Sequence, residues 1–475
     1  MKNQKRVIVI GAGASGLMAA CLCARGGAFV TLLEKNTIVG KKLSMTGNGR
    51  ANLTNNLMDA SCYNPEASEL VSNLIERFGT KKVREFFFDI GILTHDEDGY
   101  VYPVSGEASS VVRAMELSAL QAGVRLMTSV QVKKIVHQSP QSQNGTGVNP
   151  VSQEHKSRFV VVADFLDTPD KNKSACSQQS KSQFQEIKNK RRYFEGDFVI
   201  LACGGLAGPV SCMATGDGYY MAEQLGLVVT DRFPALTGLK SPDACISTKT
   251  GIRVWAKVTL SDGNRTYGSE EGEVQITQGS LSGIPVMQLS RQVAPLLKKN
   301  KKLSLHLDLL PHLSETTFEE LVKTRLMTKE QMHCVHEEDD RGYNEEILIK
   351  QKGESSLSDF LIGLAPSALN MLLTERFGLS SETSLSSVDT EVLNRILQAH
   401  RKLSFRITDV CDYSRAQVTA GGIRLDALSN DLESTQMKGF FAVGEVVDVD
   451  GRCGGYNLQF AFMSAMAATF KILSS

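Results

Sequence analysis

Residues 7 to 24 read VIVIGAGASGLMAACLCA, an uncharged run with glycines at positions 11, 13 and 16. Arg6 to Ile10 is a short β-branched stretch suited to a strand buried on both faces, and it leads through Gly11-Ala12-Gly13-Ala14-Ser15-Gly16 to a helix-forming run that continues to about Arg25. The chain has to turn tightly between them. Gly11 permits that turn, Gly13 lets backbone approach a pyrophosphate, and Gly16 allows the helix to pack closely on the strand. The first N–H groups of such a helix have no acceptor within it and are offered to anionic oxygens. A second apolar strand, Phe29 to Leu33, ends at Glu34, 18 residues after Gly16, which suits a carboxylate that accepts hydrogen bonds from an adenosine ribose. Because the run follows Lys5 and Arg6 it also mimics a signal peptide. The glycine spacing and the second strand favour the buried reading. The expected fold class is therefore α/β with a dinucleotide site, and the turn alone leaves FAD and NAD(P) open.

Three further segments bear on that choice. Lys35 is followed from Gly40 by GKKLSMTGNGRANLTN, a loop whose lysines, Arg50 and side-chain amides can wrap the phosphates and sugar hydroxyls of an extended cofactor. Near residue 200, DFVILACGG reads as a buried strand ending at Gly204 and Gly205, and Gly216-Asp217-Gly218 is expected to start a helix through Leu225. Towards the end, GFFAVGEVVD delivers Gly444 and Glu445, the latter a candidate for ribityl hydroxyls. Gly454 and Gly455 then open a helix from Tyr456 to about Ile472, whose N-terminal dipole can face a flavin N1/C2=O edge.

With these segments in this order, the chain resembles the BaiN-like, aminoacetone-oxidase-like family of NAD(P)/FAD-dependent oxidoreductases. The resemblance rests on GAGASGL, GKKLSMTGNGRANLTN, LACGG with TGDGYYMAEQLG, TAGGI and FFAVGEVVDVDGRCGGYNLQFAFMSA. It implies a Rossmann-type, glutathione-reductase-like FAD-binding domain, split in sequence. FAD would then lie on Gly11, Gly13, Ala14, Ser15, Gly16 and Glu34. Lys35, Lys42, Leu43, Gly49, Arg50 and Asn52 would belong to the loop around it, with Gly204 and Gly205 at the middle strand. Gly444, Glu445, Gly455, Asn457 and Leu458 would form the isoalloxazine and ribityl end. Two departures bear on substrate choice: Ala51 stands where the family usually has cysteine, and ITQGSLSGIP replaces the family's FTHxGISGP segment.

The remaining sequence divides by pattern. Residues 1–230 form a first part of the FAD domain, with a β-meander and polar loops within 131–195. Residues 231–312 are expected to be a β-rich insertion, 313–404 a helical insertion, and 405–475 the second part of the FAD domain. The charge run Glu337 to Arg341 reads as a solvated loop. The 52 basic and 52 acidic residues cancel, so nothing asks for nucleic acid as partner. No stretch apart from the glycine-turn segment approaches a membrane span. Ten cysteines without a CxxC pair or metal spacing suggest a reduced, cytoplasmic protein with no metal and no dithiol relay.

One glycine-plus-acid unit implies one resident dinucleotide, with NADH or NADPH visiting transiently. The expected activity is FAD-dependent oxidoreduction between NAD(P)H and a small organic substrate through flavin N5. The alternatives are a flavin oxidase of an amine or aminoketone, and a binding or regulatory protein with structural FAD. Cys453, just before the glycines of the last helix, is a candidate reactive thiol. Tyr102 and Pro103 are candidates for the substrate side by their resemblance to a family segment near the active cleft. His95, Asp448 and Asp450 read as surface polar residues. The oligomeric state stays open.

Overall fold

The computed structural model describes residues 4–138, 159–166, 191–244, 251–334 and 355–475. The polar tracts flanking residues 159–165, and Glu337 to Arg341, lie outside the described residues. The chain separates into two units, residues 1–234 with 413–475, and residues 235–412.

The first unit is built on five parallel strands, Arg6–Ile10, Phe29–Leu33, Arg125–Met127, Phe198–Leu201 and Phe440–Ala442. Arg6–Ile10 lies in the middle, paired with Phe29–Leu33 on one side and with Phe198–Leu201 on the other. Phe440–Ala442 forms one edge beside Phe198–Leu201. The direction of winding therefore changes at the first strand, and a ligand is expected beyond the carboxyl ends of strands at such a reversal. Val7 to Ile10 are at most 3% exposed, which explains the uninterrupted apolar run: a strand covered on both faces has no polar side. Helix Ala14–Arg25 packs on helix Tyr456–Ser474, which is apolar on nearly every side and buries Phe460, Phe462, Met463, Ala465 and Ala467. An antiparallel meander, Val130–His137, Phe159–Phe165 and Arg191–Gly196, sets the Phe159 ring 6.5 Å from that of Phe440.

The second unit holds a seven-stranded antiparallel sheet. Its two long strands, Ile252–Ser261 and Thr266–Thr277, alternate so that Val258, Leu260, Val274 and Ile276 turn inward. They meet Val286, Leu289 and Val293 of helix Ile284–Lys298 and Leu369 and Leu373 of helix Ser367–Arg376. Helices Glu315–Cys334, Leu357–Leu361 and Thr390–Ala399 gather a separate apolar cluster around Phe318, Leu361, Leu393 and Leu397. The amphipathic pattern over Val388 to Lys402 predicts a helix; it starts at Thr390, because the Asp389 side chain accepts from Glu391 N (2.7 Å) and caps it. It ends by Ala399, ahead of the strand Leu403–Ile407.

His400 follows this helix and is fully buried, with Nε2 3.0 Å from Asn370 Oδ1 and Nδ1 3.0 Å from Ile396 O. Burial lowers its pKa below the ordinary 6.5, against hydrogen bonds to backbone that favour the charged ring. The unfolded chain then binds the proton more readily than the folded one. Stability is therefore expected to fall as pH drops from about 7 to 5, with a shallower dependence in His400→Gln; urea midpoints across that range check it. Among the described residues, no helix is long and apolar enough to cross a membrane.

Candidate active site

The first turn is fixed by contact. Gly11 has φ +100°, and a Cβ there would stand 2.5 Å from Ala202 O, while a Cβ on Gly16 would stand 1.8 Å from Gly11 O. Gly11 N donates to Leu33 O (2.8 Å), tying the turn to the second strand. Gly13 differs: its φ is −82°, and a Cβ there meets nothing within 4 Å. The space above Gly13 is open, and the helix that begins at Ala14 has no capping side chain and no acid in its first turn. This leaves a positive helix end facing that space.

Glu34 closes one side of it. Its Oε2 accepts from Ala12 N (2.8 Å), and its Oε1 accepts from Asn36 N and Nδ2 (both 2.8 Å). Asn36 Nδ2 also donates to Cys212 O (3.3 Å), which fixes the amide and leaves Asn36 Oδ1 a buried acceptor with no donor among the described residues. Asn36 was not singled out by the sequence reading. Its only signal is an amide two residues after the carboxylate that it braces.

Lys35, Lys42 and Arg50 are each engaged by a carboxylate. Lys35 bonds Thr215 and Asp217 (3.2 Å), and Asp217 opens the helix Asp217–Gln224. Burial alone would raise the Asp217 pKa, but Lys35 and hydrogen bonds hold it below the usual carboxylate value. Lys42 pairs with Glu445 Oε2, and Glu445 Oε1 accepts from Thr419 N (2.9 Å). Thr419 Oγ1 in turn accepts from Leu206 N (2.8 Å) and Ala207 N (3.0 Å). A Cβ on Gly205 would lie 2.4 Å from Glu445 Oε1, so the middle and late glycine segments meet at this carboxylate. Arg50 is bidentate to Glu97 and lies 4.1 Å above the Tyr102 ring.

The early loop runs through Leu43, which is buried, to Gly49 (φ +84°) and Ala51 (φ +56°), the latter fully buried. Asn52, oriented to satisfy both ends of its amide, donates to Thr54 O (2.8 Å) and accepts from Gly455 N (3.2 Å). Thr54 Oγ1 donates to the buried Gln459 Oε1 (2.7 Å), a further link that the motifs did not mark. A Cβ on Gly444 would lie 2.6 Å from Ser15 Oγ, so the start and end of the chain converge there. Asn457 spends its amide on the preceding loop, accepting from Gly451 N (2.8 Å) and donating to Gly451 O (2.9 Å) and Arg452 O (3.3 Å). Leu458 packs on the core, and Gly204 (φ +69°) borders open space.

Cys453 is half-buried, with Sγ 3.8 Å from Gln417 Oε1. A second thiol, Cys203, lies at the strand end, where burial pushes it to about 12 despite Lys35, so it stays protonated at neutral pH. His95 is partly exposed, 3.7 Å from Glu97. The surface reading fails for Asp450, which is 4% exposed, donates from its N to Asn64 Oδ1 (3.1 Å) and accepts at its O from Asn64 N (2.9 Å). Asp448 is half-buried and accepts from Thr230 Oγ1 (2.8 Å). Both aspartates follow the last sheet strand closely and are drawn inward with it.

Comparison with known proteins places this geometry. The sequence matches the family described as HI0933-like protein Rossmann domain over residues 5–164 and 167–471. It is 32% identical over 466 residues to a 3-dehydro-bile acid delta(4,6)-reductase of Clostridium scindens, covering 98% of each chain. It is 25% identical over 480 residues to a ribosomal RNA dihydrouridine synthase of Haemophilus influenzae, covering 99% of each. Among solved structures, a 3-ketosteroid delta1-dehydrogenase of Sterolibacterium denitrificans spans 100% of both chains at 12% identity and a TM-score of 0.47. The chain belongs to the HI0933-like family, and its first unit has that family's Rossmann-type, FAD-binding fold.

Proposed function

We propose that the protein is an FAD-dependent reductase that saturates a carbon–carbon double bond conjugated to a carbonyl in a small organic substrate, with NADH or NADPH as transient donor. The observation that carries the cofactor is the glycine turn: an open Gly13 at an uncapped helix start, beside Glu34 and the unsatisfied Asn36 Oδ1. The backbone of Gly13, Ala14 and Ser15 would hold the pyrophosphate, and Glu34 with Asn36 the ribose. Glu445, held by Lys42 and Thr419 N, would take ribityl hydroxyls. Asn457 would keep the loop at the start of the last helix in one shape. Bound FAD supplies the hydride chemistry, and the chain supplies placement and protons.

The reductase direction draws on the relatives' names. A delta(4,6)-reductase of a 3-dehydro-bile acid and a dihydrouridine synthase both saturate a double bond conjugated to a carbonyl. The second name also makes uridine in RNA a candidate substrate, which the neutral net charge does not favour. Tyr102 and Cys453 are assigned to the substrate side. Unchanged turnover in Cys453→Ala would remove the thiol from that set.

The purified protein is expected to show flavin bands near ~450 nm that NADH or NADPH bleaches anaerobically and a 3-oxo-4,6-diene bile acid restores. Absence of those bands after FAD is added would overturn the flavoprotein reading. Recovery in air alone would indicate an oxidase, and recovery with uridine-containing RNA alone would replace the small molecule.

A further inference from the structure

The strand Tyr100–Pro103 buries Val101 and Pro103, so its alternation turns Tyr100 and Tyr102 together to the other face. That face spans both glycine loops of the site. Tyr100 packs against Gly454, where an added Cβ would be 2.7 Å from Tyr100 Cε1, and Tyr102 lies by Gly47, where the corresponding distance to Cε1 is 3.8 Å. Above the Tyr102 ring sits the Arg50 guanidinium at 4.1 Å, held from behind by Glu97. His95, across the strand pair, has its ring 6.2 Å from that of Tyr102. The charged and titratable neighbours of this phenol are therefore Arg50, Glu97, His95 and Tyr100. Among the described residues, the Tyr102 hydroxyl forms no hydrogen bond, although the ring is half-buried.

We propose that Tyr102 is the proton donor of the reduction, and that Arg50 is the residue that positions it. The proposal rests on the reductase reading above. Bound FAD would supply the hydride for the β-carbon, and the double-bond electrons would then shift toward the α-carbon and its carbonyl. The Tyr102 O–H bond breaks and its proton forms the new C–H bond at the α-carbon. NAD(P)H is the two-electron donor that the reductase reading names, and the tyrosinate, formed beside the Arg50 cation, would recover its proton from water. Burial holds the phenol protonated while Arg50 pulls the other way, so the group is an acid at neutral pH whose anion has a partner.

Two measurements test this. In stopped-flow, Tyr102→Phe holoenzyme is expected to be reoxidised by a 3-oxo-4,6-diene bile acid about 100-fold more slowly than wild type, with a far smaller change in bleaching by NAD(P)H. Phenylalanine keeps the ring beneath Arg50, so the change removes only the hydroxyl. In the apoprotein, the tyrosinate band that separates wild type from Tyr102→Phe is expected to titrate at higher pH in Arg50→Met, where the cation is gone. Equal reoxidation rates in Tyr102→Phe and wild type would overturn the donor role and leave the reductase reading standing. A tyrosinate titration unmoved by Arg50→Met would overturn the role of Arg50. A wild-type protein reoxidised by neither the dienone nor uridine-containing RNA would overturn the reductase reading and the donor role with it.

Discussion

Gly13→Val is expected to give a folded protein that no longer retains FAD. The substitution is tolerated by the chain itself, because φ at Gly13 is −82° and nothing lies within 4 Å of the added Cβ. The loss of a glycine N-cap costs at most about 1 kcal/mol. The side chain instead fills the space in which backbone N–H groups would meet the pyrophosphate. Two charge-assisted hydrogen bonds of about 1.5–3 kcal/mol each would be lost, equivalent to roughly 10²–10⁴ in affinity. Gly16→Ala is the control, since its Cβ would stand 1.8 Å from Gly11 O and backbone cannot yield cheaply there. Overpacking of that kind costs about 1–3 kcal/mol or more, and this variant should lose stability before cofactor. Thermal midpoint and flavin stoichiometry, measured on both proteins, separate the two effects. Stoichiometric flavin in Gly13→Val would place the cofactor elsewhere.

Glu445→Ala should destabilise the first unit by about 2–3 kcal/mol, more than any change to a surface ion pair. The carboxylate satisfies Thr419 N, pairs with Lys42 and lies against Gly205. Lys42 keeps 33% of its side chain exposed, so its abandoned charge is partly rehydrated and the cost stays below that of a fully buried pair. Most of the loss should come from the Thr419 N–H. Accordingly Lys42→Met should cost clearly less than Glu445→Ala in chemical denaturation, and equal costs would contradict this division. Both variants should bind FAD more weakly than wild type, Glu445→Ala the more so.

Local signals were legible in sequence and distant pairings were not. The run Arg6 to Ile10 has the bounds that its residues suggest, because β-branched composition acts within a few residues, whereas the helix read from after Gly16 to about Arg25 starts three residues earlier, at Ala14, with Gly13 as its N-cap. The last helix, read to Ile472, continues to Ser474. Lys42 and Glu445 are 403 residues apart, and no periodicity connects them. Thr419 lay inside a quoted motif, yet its hydroxyl gains its role only once residues 206 and 207 are folded against it. The reading of Asp450 as exposed failed for the same reason, since its partner Asn64 is 386 positions away. Composition reports how polar a residue is, and burial depends on which strand precedes it.

The place of Phe440–Ala442 at one edge of the parallel sheet has a consequence for biosynthesis. As the chain leaves the ribosome, Phe198–Leu201 waits with an unpaired apolar edge until more than two hundred further residues have been made. Ser15 and Gly444, which close on each other in the finished protein, cannot meet before then. FAD capture is thus a late event, and the second unit has time to fold first. Until the final strand docks, the nascent chain carries an open sheet edge of the kind that chaperones cover.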